Sequence, residues 1–469
     1  MDGAEGRLWG GRFTGQPADA AWHLGVSTAF DRRLWREDLA GSEAHARELQ
    51  RIGVLTEAEA EEIVAALHEC AELFARDAFP WEDSDEDLHG AVERWLVERL
   101  GPLGGKLRAG RSRNDQIVSD LRLWSRGAAA HLRGLVADLQ EVLCDVAERH
   151  LDWLAPGFTH LQRGQPVLLA QHLLAYVWML DRDAARLRDA SVRADESVLG
   201  AGALGGETLG LDPDAYAGAL GFPRTAHNSM DAVASRDFVL ELLGACAIIA
   251  THLSRFAEEI VVWSSAEFGF VRVGDAYTTG SSIMPQKRNP DVAELVRGKA
   301  GRVIGDLVAV LVTVKGLPLT YNRDLQEDKE PLFDAIDTLS LALPAVAGML
   351  GSLEFDRGRL EEAAGGGFAL ATDLAEELVR RGVPFREAHD VVGRLVREAE
   401  ARGGDLDALE PEELVAAHPA LDRSVAELLD PRRAVERRAS SLGTAPTTVA
   451  AQLTVARQAI ALTRADVTS

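Results

Sequence analysis

Ser281 carries the most pointed chemistry in this chain. It stands in GSSIMPQKRNP, Gly280 to Pro290, with Ser282 beside it, then Lys287, Asn289 and a proline stop. Gly280 allows backbone geometries closed to other residues, and successive N–H groups of such a loop can face an anion. Lys287 adds a compact positive charge and Asn289 a neutral donor, while Pro290 suits the first turn of a following helix. A glycine-serine turn alone is ordinary surface. A turn that also gathers an ammonium and an amide suits a carboxylate ligand. It is not a phosphate loop, because the GxxxxGK[ST] order is absent.

Three more segments carry polar groups that a helix bundle does not need. In AGRSRNDQ, Ala109 to Gln116, the residues Ser112, Arg113, Asn114 and Asp115 crowd a helix start. One of them suffices as a cap; Arg113 and Asn114, at a helix N-terminus, make an anion clamp. In GFTHLQRGQP, Gly157 to Pro166, Thr159 and His160 lie between glycine and proline, which predicts a loop and a titratable imidazole on it. Glu294, shortly after the serine loop, is a carboxylate that could orient that ring. His45, His131, His172 and His252 fall in helical runs and read as packing residues. The third segment, LTYNRDLQEDKEP from Leu319 to Pro331, offers Tyr321, Gln326, Asp328 and Lys329.

Long helices must position these groups. Between Asn114 and His150 there is no proline, and Ile117, Leu121, Trp124, Ala128, Leu132, Leu135, Leu139, Leu143 and Val146 step by threes and fours. Similar patterns predict helices over 165–194, 228–268, 290–315 and 325–353. The first and second of the longest runs would each span roughly 50 to 60 Å. The fold class is therefore all-α: an elongated central long-helix bundle (111–364) flanked by smaller helical domains (1–110 and 365–469), with Gly365, Gly366 and Gly367 at the second boundary. Little strand pattern is present beyond Phe270 to Val273.

Composition narrows the function. With 50 Lys+Arg against 74 Asp+Glu, the net charge of −24 opposes nucleic acid and anionic membranes. The five lysines, Lys106, Lys287, Lys299, Lys315 and Lys329, all fall mid-chain. Cys70, Cys144 and Cys246 are far apart and predict buried thiols in a reducing, cytoplasmic setting. No His or Cys pair has metal-ligand spacing with a third ligand in reach, so no metal is expected. No signal segment and no uncharged run of spanning length are expected either.

Taken together, the motifs resemble the argininosuccinate lyase family of the fumarase/aspartase superfamily. The likeness extends through LWGGRF at Leu8 to Phe13, SDEDLH at Ser84 to His89, NSMDAVASRDF at Asn228 to Phe238 and GTAP at Gly443 to Pro446, and Gln286 is the choice typical of the family. Two departures are Val198, where proline is common, and Glu207, where a small or amide residue is usual.

The resemblance implies cofactor-free, reversible anti elimination of argininosuccinate to arginine and fumarate. It implies Ser281 as base, Lys287 and Asn289 at the developing carboxylate charge, and His160 with Glu294 at a second proton or carboxylate. Ser27, Arg113, Asn114, Thr159, Tyr321, Gln326 and Lys329 would bind substrate. It also implies a homotetramer with active sites shared between subunits. Asn114 begins the first long helix and His160 follows its end, so one chain would hold them on the order of 50 Å apart. Another superfamily lyase that releases fumarate, and a non-enzymatic crystallin-like protein, are the alternatives.

Overall fold

Ser112 and Asp115 fix where the longest helix begins. Ser112 Oγ accepts from the Asn114 N–H at 3.2 Å, and Asp115 Oδ1 accepts from the Ser112 N–H at 3.2 Å, a reciprocal cap of two otherwise orphaned donors. From there Arg113–Arg149 runs unbroken for 37 residues. Its stripe is buried as the spacing predicts: Leu121, Leu132, Leu139 and Leu143 are sealed from solvent, each contributing about 1.5–3 kcal/mol. The computed structural model describes residues 18–468. The LWGGRF motif lies outside the described residues.

The described chain divides into two units. The first comprises, of the described residues, 18–132, 186–247 and 302–338. Its shorter helices include Trp35–Arg51, Glu57–Ala75 and Leu88–Leu100. Thr56 and Glu59 form a capping box on the second of these, and Asp87 caps the third through Gly90 N. The second unit comprises 133–185, 248–301 and 339–468. Here the Pro446–Thr468 helix packs on long helices, with Arg457 bound to Glu141, Asp145 and Glu148 and the Trp178 Nε1–H donating to Gln452 at 3.0 Å. A separate apolar cluster of Leu374, Leu378, Val391, Val392, Leu395 and Val425 fills the helices after residue 368.

Three expected helix boundaries differ. Residues 228–268 do not form one helix: Ser229–Ala234 is followed by Asp237–Trp263. Asn228 Oδ1 caps the short helix by accepting from Met230 and Asp231, and Ser235 is extended. The break lets Arg236 turn its wholly buried guanidinium onto Asp328 and the Val233 and Ser235 carbonyls. That burial explains part of the NSMDAVASRDF motif. Next, residues 165–168 are strand, and the helix is Leu169–Ala194. Finally, a 3₁₀ turn, Arg323–Asp328, precedes the Lys329–Gly351 helix.

The strand found instead belongs to a hairpin that no alternating pattern announced. β1, Leu154–Thr159, pairs antiparallel with β2, Gln162–Leu168, with an irregularity at Gly157/Phe158. The expected strand near Phe270 is β3, Val271–Arg272, paired with β4, Glu354–Phe355. GTAP anchors the hairpin: Thr444 Oγ1 accepts from Leu168 N at 2.8 Å, and a Cβ at Gly443 would lie 1.9 Å from the Arg438 carbonyl oxygen. All three cysteines are buried and free, as expected, and burial pushes each thiol up to about 12. No uncharged run reaches spanning length, as expected, although the Asp237–Trp263 and Arg323–Gly351 stretches are, by length and composition, apolar enough to cross a membrane. More than half of each tested window is nevertheless buried inside the chain, 56% in both, so the apolar surface serves packing.

Candidate active site

In the first unit the candidate site residues are held by buried and half-buried acids and by backbone carbonyls. Ser27, almost fully buried, donates from Oγ to Asp31 Oδ2 at 2.6 Å, while its N–H donates to the Glu86 carbonyl at 2.9 Å. Asp31 also accepts from Leu88 N. Arg113 pairs with Asp87 at 2.9 Å and reaches Glu86 at 3.5 Å. Glu86 takes a second guanidinium, Arg323, at 2.9 Å, and Arg323 also donates to the Gly25 carbonyl at 2.7 Å. Gln326 donates to that same carbonyl at 3.3 Å, and Asn114 Nδ2 to Ala203 O at 3.0 Å. Gly25, Glu86, Arg323 and Gln326 line one cleft of about 460 Å³ with Trp22 and Glu327.

Lys329 is the other buried cation of this set. Its Nζ lies 2.9 Å from Asp328 Oδ1, and Asp328 binds Arg236 through its other oxygen. Burial drives the Asp328 carboxyl upward, but Lys329 and Arg236 outweigh it and hold its pKa below the usual range. Tyr321 is partly buried, which raises its phenol. Asp115 does more than cap: its Oδ2 accepts from Gly200 N and Gly202 N, fastening the 200–206 loop. Burial pushes this carboxyl up to about 6 against those bonds. The departures from the family pattern lie nearby. Val198 is buried, and Glu207 accepts from the backbone N–H groups of Leu209, Gly210 and Leu211, so it closes its own loop.

The second unit presents its residues differently. His160 does not lie on an open loop. His160 and Leu161 are the two central residues of a tight hairpin turn, between the paired Thr159 and Gln162, with φ of 55° and 56°. Positive φ at both centres is the geometry that matches strand twist, and it normally selects Asn or Gly. Two side chains held in that region store local strain. Thr159 and His160 are both exposed.

The serine loop is pinned at its neck. Thr279 and Asn289 exchange backbone hydrogen bonds at 3.4 and 2.9 Å, and Asp291 Oδ2 accepts from Thr279 N and Oγ1 at 2.9 and 2.6 Å. Asp291 thereby ties the loop to the Asp291–Val314 helix. Beyond the neck, Ser281 Oγ accepts from Ile283 N at 3.3 Å and Met284 N at 3.1 Å. Gly280 takes no positive φ, and a Cβ there would meet only the Lys287 carbonyl at 3.8 Å. The turn around Ser281 and the neck shape the loop, not a special glycine geometry as expected. Lys287 and Glu294 are exposed, and within one chain Glu294 makes no hydrogen bond or ion pair with His160.

The lyase sequence pattern matches residues 11–305, and the pattern described as argininosuccinate lyase C-terminal matches 368–436. The chain is 53% identical to the argininosuccinate lyase of Thermobifida fusca (strain YX) over 455 residues, covering 97% of this chain and 96% of that protein. It is 54% identical to that of Acidothermus cellulolyticus (strain ATCC 43068 / DSM 8971 / 11B), covering 97% and 94%. This chain belongs to the argininosuccinate lyase family. It is a lyase. Among solved structures, EDDS lyase in complex with formate superposes with a TM-score of 0.84 at 28% identity, covering 97% of this chain and 92% of that one.

Sequence reading missed the groups that hold the family's residues in place. Asp31 lies four residues after Ser27, and Glu86 and Asp87 lie in SDEDLH; the density of acids beside a clustered set of arginines was the available signal. The fold also brings Asp38, His89 and Asp120 together, with potential ligand atoms within 4.8 Å of one another, although their spacing in sequence gives no hint of it. There His89 Nδ1 lies 2.9 Å from Asp38 Oδ1, and Gln116 donates to the same oxygen. Burial, and then the Asp38 charge, push Asp120 well above the ordinary carboxyl range.

Proposed function

We infer that this chain catalyses the reversible elimination of argininosuccinate to L-arginine and fumarate in arginine biosynthesis, in the cytoplasm and without a cofactor. The observation that carries the reading, within a family so named, is the hydroxyl of Ser281 under two backbone N–H donors. Hydrogen bonds to an oxygen favour its ionised form, so this serine is the group suited to take the weakly acidic proton beside the succinyl carboxylate. Lys287 and Asn289, on the same loop, then meet the doubly charged carboxylate that develops. His160, oriented by a Glu294 that reaches it from another subunit of the assembly proposed below, serves the leaving guanidinium or the second carboxylate. Ser27, Arg113, Asn114, Thr159, Tyr321, Gln326 and Lys329 bind the substrate.

Equimolar release of arginine and fumarate from argininosuccinate, unchanged by a chelator, is the expected result. Release of fumarate from other amine adducts only would assign the chain to a sister reaction, and no release from any would leave a structural protein.

We further propose a homotetramer with shared sites and the three-part division at residues 110 and 364. Two features support the assembly. Helix Arg113–Arg149 is about 55 Å long, with Asn114 in its first turn and His160 after its end. On Asp291–Val314, Ile304, Val308, Leu311 and Val312 form one apolar stripe at 43–57% exposure, the kind of surface a partner covers. Dissociating and reassembling a mixture of inactive Asn114→Ala and His160→Ala proteins should restore activity at up to about a quarter of sites. Mixed oligomers that stay silent while refolded wild type is active would refute the shared site.

A further inference from the structure

A second cleft, of about 700 Å³, lies against the hairpin that carries His160, and every residue lining it belongs to the second unit. From the hairpin come Phe158, Leu161, Gln162 and Arg163; from the segment after Asp237–Trp263 come Glu267, Phe268 and Phe270; from Arg357–Gly365 and its end come Arg359, Glu362, Ala363 and Gly367. The three phenylalanines form one cluster, with ring centroids 5.5 to 6.4 Å apart.

Around that aromatic floor stand two guanidiniums and two carboxylates. Among the described residues, none of the four is ion-paired with another. The Arg359 guanidinium makes, among the described residues, long hydrogen bonds alone, 3.5 Å each, with the carbonyls of Ala266 and Phe268. Arg163 lies along the Gly365–Gly367 run instead of on an acid. A Cβ at Gly366 would sit 2.4 Å from its guanidinium, and Gly367, at φ +72°, would bring one 3.2 Å from its Cδ. Gly366 and Gly367, which the proposed reaction does not use, thus leave the room that Arg163 occupies beside the cleft.

Uncommitted charge of both signs over an aromatic floor fits a zwitterion whose side chain is also cationic. We propose that this cleft is a second binding site for free L-arginine, a choice of ligand that rests on the lyase reading above. The α-carboxylate meets Arg163 and Arg359. The ligand's guanidinium pairs with Glu362 or Glu267 and covers a phenylalanine face. A molecule so placed touches Phe158, Leu161 and Gln162, and Leu161 is half of the strained His160–Leu161 turn, so the product of the reaction bears on the turn that holds the residue proposed to serve its departure.

The test is calorimetric titration of the full-length wild type with L-arginine up to about 10 mM, a range that captures millimolar dissociation constants. A binding event is expected that survives Asn114→Ala but weakens at least tenfold in both Glu362→Gln and Arg163→Gln. Should either variant melt below wild type, the ligand supplies the control: L-citrulline, which is neutral where arginine is charged, should bind wild type at least tenfold more weakly. Arginine binding lost in Asn114→Ala and kept in Glu362→Gln overturns the proposal. Equal binding of citrulline, or no heat at all, also overturns it. If argininosuccinate is not turned over, the lyase reading fails, while the titration still decides the cleft by its own variants.

Discussion

Six of the proposed site residues lie in the first unit and six in the second, and the two sets are held in opposite ways. In the first, Ser27 and Lys329 are buried, and Arg113, Gln326 and Asn114 are each fixed by a partner, Asp87 or a backbone carbonyl. In the second, His160, Lys287 and Glu294 are exposed, and Ser281 is shaped by its own loop. Groups that must recognise a whole substrate gain from being preorganised, because little ordering entropy is then lost on binding. Groups that move protons need only be fixed locally, and here two amides and a hairpin turn do so. The difference makes the first unit the place where mutation should show in stability and affinity, and the second the place where it should show in turnover.

Ser281→Ala tests this most severely. With the hydroxyl gone from under Ile283 and Met284, kcat should fall by at least about 10²-fold while KM stays within roughly threefold. A variant that retains a tenth of wild-type turnover would show that another group is the base.

Asp328→Asn breaks the comparison from the other side. It leaves Arg236 and Lys329 buried without their shared carboxylate, which should cost about 3–5 kcal/mol. Urea midpoints at fixed protein concentration would measure it. A loss under about 1 kcal/mol would mean that the first unit is not held by buried charge.

The long helices were legible because their cause is periodic: Leu121, Leu132, Leu139 and Leu143 are buried on the stripe that spacing implies. The hairpin was not, because β1 contains Pro156 and Gly157, β2 contains Gly164 and Pro166, and the turn places His and Leu where Asn and Gly are usual. Its order comes from distant partners such as Thr444, which a local pattern cannot reveal. The proposed site shows the same division. Ser281, Lys287 and Asn289 share one short run and could be read together. Asp31, Glu86 and Arg236 act through contacts 57 to 237 residues apart in the chain. Their roles belong to the fold: the local density of acids and arginines was a signal, but single acids and arginines are too common in this sequence for it to name which of them act.

The smallest expected effect concerns pH and again separates the units. In the first, His45 Nδ1 lies 2.6 Å from the Tyr216 hydroxyl and Nε2 2.9 Å from the Ala109 carbonyl, so the neutral ring accepts at one nitrogen and donates at the other. Burial pushes its pKa from 6.5 down to about 3, Arg111 adding to the fall. Below pH 6.5 the unfolded chain takes up a proton that the folded ring refuses until about pH 3. The neutral ring's contribution is therefore complete above that upper value and is lost as pH falls toward the lower one. The slope is at most about 1.4 kcal/mol per pH unit. His45→Gln removes the titration. Its urea midpoint should sit slightly below wild type at pH 8, where the variant forfeits about 1 kcal/mol of hydrogen bonding. Between pH 6 and 4 it should then fall less steeply than wild type, so the two curves converge. Curves that stay parallel across that window would show that His45 keeps its ordinary affinity for protons, and that acid weakens the first unit through some other group.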